Sequence, residues 1–229
     1  MVRRLALSLT FIALAAAVTA RAETSFTADA ATAQPPAASP APTPVRYWPV
    51  VTGLAQALEI SNDHTSRPLR RFNAPRPAVH ADNPTRRHVG VDLFAAPGDT
   101  VIAVDDGRVL GFYPFLRAAT GEMSYALLVD HGAYVANYGE VRQNSLTAHG
   151  LAIGDRISAG QPIATISDTA QLHFETYQAG TQHSSSWPNG APQPAGVRDP
   201  TAFLTALAEQ GARRMPGDTT TVQATSLAR

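Results

Sequence analysis

The chain of 229 residues carries 18 basic and 18 acidic side chains, so its formal net charge at pH 7 is +0. This balance argues against general nucleic-acid binding, which needs an excess of basic charge to meet the phosphates. The sequence contains no cysteine, which excludes a disulfide scaffold, a thiolate metal site and a cysteine nucleophile. Any metal site must therefore be built from His, Asp and Glu.

The first 22 residues have the order of a secretory signal peptide. Arg3 and Arg4 precede an uncharged stretch from Leu5 to Val18, and Ala20-Arg21-Ala22 then forms a small-x-small cleavage signal. The apolar run is shorter than the about 20 residues that a membrane-spanning helix needs, so we expect no permanent membrane anchor. The expected location of the mature chain is the bacterial periplasm or the exterior of the cell.

The composition then divides the chain into four further segments. Residues 23–45 are rich in Ala and Pro and predict a disordered linker. Residues 46–85 form an irregular lead-in with several Arg and Pro residues, and residues 86–208 carry the patterns of a packed domain. Residues 209–229 are small and polar and predict a disordered tail.

Short strands separated by Gly, Pro and Asp predict a mainly β domain with an antiparallel sheet and short flanking helices. The turn signals are Asp106-Gly107, which indicates a tight hairpin, and His131-Gly132. Helical periodicity is confined to residues 54–60 and 201–208. The strand-sized segments are residues 100–104, 108–111, 125–129, 134–138, 162–166 and 172–177.

Two of these segments carry candidate metal ligands. His88 and Asp92 are four residues apart, an even offset that places both on one face of an extended segment. In residues 171–175 the even positions are apolar, so His173 and Glu175 are expected to face away from the core. Two imidazoles and a carboxylate, with a fourth position open, suit a catalytic zinc ion. The alternative is that both histidines are ordinary strand residues with hydrogen-bond partners.

The order of the motifs resembles that of the lysostaphin/LytM-type zinc endopeptidases. The block from His88 to Val109 is similar to that family's H-x-G-x-D, P-G-T and A-x-x-D/G-G-x-V pattern, and residues 172–175 follow downstream. The resemblance covers about residues 86–204 and implies a β-sheet domain, similar to a duplicated hybrid motif, with a metal-binding groove. It also implies a zinc cofactor held by His88, Asp92 and His173, and cleavage of the stem peptides of bacterial peptidoglycan.

The sequence departs from the family pattern at two positions where catalytic members carry histidine. Here these positions hold Glu140 and Gln171. A carboxylate beside the attacking water can act as a general base, so Glu140 is a candidate catalytic residue. The Gln171 amide cannot exchange a proton, but it can donate a hydrogen bond to an oxyanion. The competing interpretation is a surface or salt-bridged Glu140 in a domain that has lost catalysis.

Three functions therefore remain open from the sequence. The first is an exported zinc endopeptidase of peptidoglycan in which Glu140 replaces the missing base. The second is a catalytically degenerate envelope factor that binds peptidoglycan or activates a cell-wall amidase. The third is a secreted β domain that binds glycan or protein and uses zinc only for its structure.

The remaining polar and aromatic residues receive weaker predictions. Arg86 and Arg87 could meet carboxylates of a peptide, although an exposed basic pair is common. A further hypothesis is that residues 46–84, which are irregular and rich in Arg and Pro, pack over the groove as an inhibitory lid. Histidines in loops are expected to be solvated, Tyr47 and Trp48 to anchor packing, and Trp187 is a less favoured candidate for the groove wall. The loop histidines are His131, His149 and His183.

Overall fold

The computed structural model describes residues 45–55, 68–76, 85–118 and 120–209. The predicted signal peptide, all of the predicted linker except Val45, and all of the predicted tail except Glu209 lie outside these residues. Most of the predicted helix at residues 54–60 lies outside them as well. Within the described ranges, no helix is long and apolar enough to cross a membrane.

The described part of the chain is built mainly from β-strands, as predicted, with two short α-helices and a 3-10 turn at Pro68–Arg70. All six predicted strands are confirmed. The strands are β1 (Val50–Val51), β2 (Pro75–Arg76), β3 (Arg86–Arg87), β4 (Val91–Phe94), β5 (Thr100–Ile102), β6 (Gly107–Arg117), β7 (Met123–Asp130), β8 (Tyr134–Val141), β9 (Arg156–Ile157), β10 (Pro162–Thr165), β11 (Gln171–Gln178) and β12 (Val197–Arg198). The helices are α1 (Ser145–Ala148) and α2 (Thr201–Glu209).

The strands form three sheets in which every pairing is antiparallel. The large sheet has the order β12-β11-β8-β7-β6-β9, and β4 adds a further pairing to β11. The small sheet has the order β1-β5-β10, and the ribbon consists of β2 and β3. The antiparallel fold class is therefore as predicted.

The hydrophobic core lies between the small sheet and one face of the large sheet. Val101 and Ile163 of the small sheet belong to the same buried cluster as Leu127, Tyr138 and Phe174 of the large sheet. Burial of each side chain of this size contributes about 1.5–3 kcal/mol to folding. This cluster defines the inner face of the large sheet.

The opposite face of the large sheet, the outer face, carries polar groups. Along β11, Leu172 and Phe174 join the core cluster, whereas Tyr177 belongs to a separate small cluster. Because side chains alternate along a strand, His173 and Glu175 lie on the same outer face as Tyr177. The predicted alternation of residues 171–175 thus agrees with the two faces that these clusters define, although residues 172–175 are all buried.

The hairpin predicted at Asp106-Gly107 was wrong. β5 pairs with β1 and β10, and β6 pairs with β7 and β9, so the two strands that flank this dipeptide are not partners. The chain crosses here from the small sheet to the large sheet. Glycine is needed for another reason, since a Cβ at position 107 would lie 2.8 Å from the Asp130 carbonyl oxygen.

The predicted C-terminal helix forms as α2. Asp199 accepts a hydrogen bond from the Thr201 amide at 2.9 Å and so satisfies one free N–H of the first turn. Leu204 and Leu207 are buried in the core cluster. The helix is therefore held by both its cap and its apolar face.

Candidate metal centre

The pairing of β4 with β11 brings the predicted ligands together. Asp92 lies opposite His173 in antiparallel register, and His88 lies shortly before β4. Gly90 permits this approach, because a Cβ at position 90 would lie 2.5 Å from the Phe174 carbonyl oxygen. The glycine of the H-x-G-x-D motif is thus required by the closeness of the two chains.

Three ligand atoms converge on the outer face of the large sheet. His88 Nε2 lies 3.0 Å from His173 Nδ1 and 3.1 Å from Asp92 Oδ1. His173 Nδ1 lies 2.9 Å from the same Asp92 oxygen, and all three side chains are buried. Tetrahedral zinc with bonds of ~2 Å separates its ligand atoms by ~3.3 Å, so the donor set fits this metal. The assignment of these residues as zinc ligands stays a prediction.

Each imidazole of the cluster is held through its other nitrogen. His88 Nδ1–H donates to the Arg71 carbonyl oxygen at 2.8 Å. His173 Nε2–H donates to Glu175 Oε1 at 2.7 Å. These contacts orient both rings and leave His88 Nε2 and, in neutral His173, Nδ1 as lone-pair donors toward a metal.

Glu175 is itself fixed by a buried network that the sequence did not reveal. Its Oε2 accepts hydrogen bonds from Asn137 Nδ2 at 2.8 Å and from the Tyr177 hydroxyl at 2.6 Å. The Tyr113 hydroxyl donates to Asn137 Oδ1 at 2.9 Å. The two-residue spacing of Glu175 and Tyr177 is a signal in the sequence, whereas the position of Asn137 depends on the register of β8.

The surrounding charges favour a protonated His173 until a metal binds. Although burial opposes it, Glu175 and Asp92 raise the pKa of His173 to about 10. Burial lowers the pKa of His88, so this imidazole is neutral near pH 7. Against the effect of burial, His88 and His173 hold the pKa of Asp92 well below its usual range. A metal ion must therefore displace one proton, from His173.

We expect the zinc affinity to rise about tenfold per pH unit between about pH 7 and pH 9, because one proton leaves His173 on binding. The measurement is a zinc titration in metal-buffered solutions at several pH values. Glu175→Gln removes the carboxylate that raises the pKa of His173 and should flatten this slope. It should also weaken zinc binding at pH 9 by about 10–100-fold, because the ring loses its orienting partner.

The exposed Glu209 is the matched control for this experiment, and Glu209→Gln should keep the slope of the parent. A zinc affinity of the parent that does not change with pH would contradict the protonation of His173.

β8 contains a bulge at Glu140. Ala126 of β7 pairs with Gly139, but the preceding Tyr125 pairs with Val141, so Glu140 is an extra residue in its strand. Its backbone φ is +68°, a left-handed conformation that is costly for a residue with a side chain.

The bulge changes the direction of the side chains along β8. Tyr138 and Val141 both belong to the core cluster, although their odd spacing would place them on opposite faces of a regular strand. The phase shift turns Glu140 toward the outer face, where Gln171 Nε2 donates to its Oε1 at 2.9 Å. The bulge thus places Glu140 beside Gln171, the two residues at which the sequence departs from the family pattern.

The Glu140 carboxylate is buried, and its Oε2 has no hydrogen-bond partner in the described part of the chain. Burial and the nearby Asp92 raise the pKa of Glu140, while His173 and Gln171 oppose this rise. The predicted alternative of a surface glutamate was therefore wrong. A buried carboxylate with one free oxygen and a raised pKa is typical of a general base.

The lead-in segment contributes directly to the site. Asn73 N–H donates to the His88 carbonyl oxygen at 2.8 Å, and His88 N–H donates to the Ala74 carbonyl oxygen at 2.9 Å. Arg76 Nη2 donates to His88 Nε2 at 2.9 Å and also to Asp92 Oδ2. The sequence did not identify Arg76, because nothing local indicates that β2 runs beside His88.

Two of the loop histidines differ from the prediction that they are solvated. His131 Nδ1 contacts the Asp106 carbonyl oxygen at 2.8 Å and its Nε2 contacts the Tyr138 hydroxyl at 3.1 Å, while burial lowers its pKa. His149 Nε2 contacts Thr165 Oγ1 at 3.1 Å. Both rings are partly buried because neighbouring strands supply these partners. His183 is exposed, as predicted.

The predicted packing roles of the aromatic residues in the lead-in agree with the structure. Trp48 belongs to the core cluster, and the Tyr47 ring lies against Gly160. Trp187 is buried against Phe72, with ring centroids 5.7 Å apart. Phe115 contacts the His173 ring at a centroid distance of 5.1 Å and so lies beside the metal cluster.

The β fold and the buried His-Asp-His cluster define a metallopeptidase-like domain. Residues 86–185 match the sequence profile of peptidase family M23. Residues 86–185 therefore carry an M23 peptidase domain, which agrees with the resemblance of the motifs. No curated protein sequence matches the chain.

Three solved structures are similar to the chain at low identity. Csd3 of Helicobacter pylori is 21% identical with a TM-score of 0.41, and the match covers 74% of this chain and 40% of that one. A zinc-containing peptidase from Vibrio cholerae is 21% identical, with a TM-score of 0.39 and coverages of 66% and 41%. The catalytic domain of lysostaphin from Staphylococcus simulans is 22% identical, with a TM-score of 0.38 and coverages of 59% and 89%. The chain thus spans less than half the length of the first two proteins.

Proposed function

We propose that the chain is an exported, zinc-dependent endopeptidase that hydrolyses peptide bonds in the stem peptides of bacterial peptidoglycan. The observation that carries this proposal is the convergence of His88, Asp92 and His173 on the same face as the buried Glu140. The M23 domain supports the reaction class. The order of charges and small residues in residues 1–22 supports export to the periplasm or the exterior.

His88, Asp92 and His173 would hold the zinc ion. When bound, zinc supplies Lewis-acid chemistry, since it polarises a substrate carbonyl and makes water easier to deprotonate. The Arg71 carbonyl oxygen and Glu175 keep the two imidazoles in place through their second nitrogens.

Glu140 would move the proton in this reaction. Its unpartnered Oε2 is the atom that accepts the proton of the attacking water, while the Gln171 amide holds Oε1. Its raised pKa allows the same carboxyl group to return the proton to the amine that leaves. Gln171 would thus position the base through one N–H, and the second N–H of its amide would serve the oxyanion contact predicted from the sequence.

The test is a digestion of purified sacculi by the zinc-loaded mature chain. We expect new peptide amino termini to appear among the released muropeptides, and chelation of the metal to abolish them. The glycan strands should keep their chain length, because the proposed reaction leaves glycosidic bonds intact. Intact stem peptides after digestion with fully zinc-loaded protein would contradict the proposal.

A second candidate function is supported by the residue at position 171. Gln171 cannot exchange a proton, which favours a non-catalytic envelope factor that binds peptidoglycan or activates a cell-wall amidase. In that case the chain would stimulate amide cleavage by a purified amidase and produce no new peptide ends by itself. The muropeptide assay with and without the amidase separates these two functions.

A further inference from the structure

The ribbon formed by β2 and β3 carries two paired arginines near the candidate metal site. Arg76 and Arg86 are direct partners across β2 and β3, so their side chains lie on the same side of the ribbon. Arg76 contacts His88 and Asp92. Arg86 is half-buried close to the same charges, since burial and Arg76 lower its pKa while Asp92 and Glu140 raise it.

Two like charges directly opposite each other on a ribbon are destabilising unless anions compensate them. Here the compensating carboxylates include Asp92 and Glu140. Asp92 is a candidate metal ligand and Glu140 is the candidate base. The carboxylates that compensate the arginine pair are therefore the same groups that would bind the metal and accept the proton in the loaded site.

Metal binding and the contact between Arg76 and His88 exclude each other. His88 Nδ1–H donates to the Arg71 carbonyl oxygen, so Nε2 carries the single lone pair of the ring. Arg76 Nη2 donates to that lone pair at 2.9 Å. A metal ion on His88 Nε2 must take the place of this donor, and a divalent cation also repels the guanidinium. The loaded site therefore frees the N–H of Arg76 Nη2 that faces His88, whereas the ion pair of Nη2 with Asp92 Oδ2 stays in place.

We propose that Arg76 and Arg86 form a carboxylate-binding subsite, made available by zinc loading, for a free carboxylate of the bound peptide. This inference deepens the proposed function, on which the choice of a peptide ligand rests. Arg76 Nε is buried and has no hydrogen-bond partner among the described residues, which leave one edge of its guanidinium unused. That edge and the freed N–H of Nη2 together match the two oxygens of a carboxylate. The substrate class is thus a peptide that carries a free carboxylate near the cleaved bond.

The first test is calorimetric binding of small probes to the zinc-loaded mature chain. N-acetyl-D-alanine carries an α-carboxylate, N-acetyl-D-isoglutamine carries a side-chain carboxylate, and N-acetyl-D-alaninamide carries neither. We expect at least one acid to bind about tenfold or more tightly than the amide, and the stronger acid identifies the source of the carboxylate. Equal binding of all three probes, or no binding of either acid, would overturn the proposal.

The variants separate the arginines from the metal itself. Arg76→Met and Arg86→Met should each lose the preference for the acid, and Arg76→Lys should retain part of it with the fold intact. Arg87→Met is the matched control, because Arg87 lies next to Arg86 but pairs with Pro75 and donates to the Asn73 carbonyl oxygen. A preference that persists in both Arg76→Met and Arg86→Met would show that zinc alone binds the acid, and would overturn the subsite.

The second readout is the zinc affinity, which does not depend on hydrolysis. Because Arg76 competes for His88 Nε2, Arg76→Met should bind zinc about tenfold more tightly than the parent, while Arg87→Met should match the parent. Weaker zinc binding by Arg76→Met would overturn the competition. Inactivity on sacculi would count against the proposed hydrolysis but would leave both binding results standing, so the two failures are distinguishable.

Discussion

Glu140→Gln is expected to reduce kcat for stem-peptide hydrolysis by about 10²–10⁴-fold, the range that general acid–base catalysis supplies. The amide keeps the size of the side chain but cannot accept a proton. Zinc affinity should stay within about threefold of the parent, because Glu140 does not belong to the converging ligand group. The measurements are single-turnover cleavage of muropeptides and a zinc titration.

The same substitution should not lower the melting temperature. It removes a buried charge whose Oε2 has no hydrogen-bond partner, and such a charge is costly to the folded state. A loss of activity without a loss of stability is the signature of a residue retained for function. Glu209→Gln, on the exposed end of α2, is the control and should keep full activity. Full activity of Glu140→Gln would remove Glu140 from the reaction.

The raised pKa of Glu140 also sets the direction of the pH profile. The base works only when it is deprotonated, so a raised pKa moves the acidic limb of kcat/KM to higher pH than an ordinary glutamate would. Gln171→Met removes a hydrogen bond that stabilises the carboxylate and should move that limb further upward. A limb that shifts downward in Gln171→Met would contradict this role of the amide.

His88→Ala is expected to weaken zinc binding by about a thousandfold. Structural zinc sites bind with about 10–16 kcal/mol, and an equal share for each of three ligands is about 4 kcal/mol, or about 10³ in affinity. The loss should be visible in a zinc titration and in the absence of cleavage at low micromolar zinc. Parent-like affinity in this variant would exclude His88 as a ligand.

His149→Ala is the matched control, because His149 is also partly buried but contacts Thr165 and belongs to no converging group in the described chain. Since His88→Ala removes one of the donors to the Arg71 carbonyl oxygen, which also accepts from the Ala74 N–H at 3.3 Å, thermal unfolding should be recorded beside the titration. His88→Gln fills the same space and provides a second test if the alanine variant is unstable.

Local patterns in the sequence determined the strands and the direction of the ligands on β11. Apolar residues at Leu172 and Phe174 send His173 and Glu175 to the opposite face, because alternation along a strand has a period of two. These features depend on neighbours within a few residues.

Only the tertiary structure decided how the site is completed. His88 and His173 are 85 residues apart, and the contact of Arg76 with His88 requires the lead-in to return as β2 beside the site. The bulge that turns Glu140 outward appears only in the register of β8 against β7. Register and sheet contacts join residues that are distant in the chain, so alternation predicts which face a side chain takes but not which partner it meets.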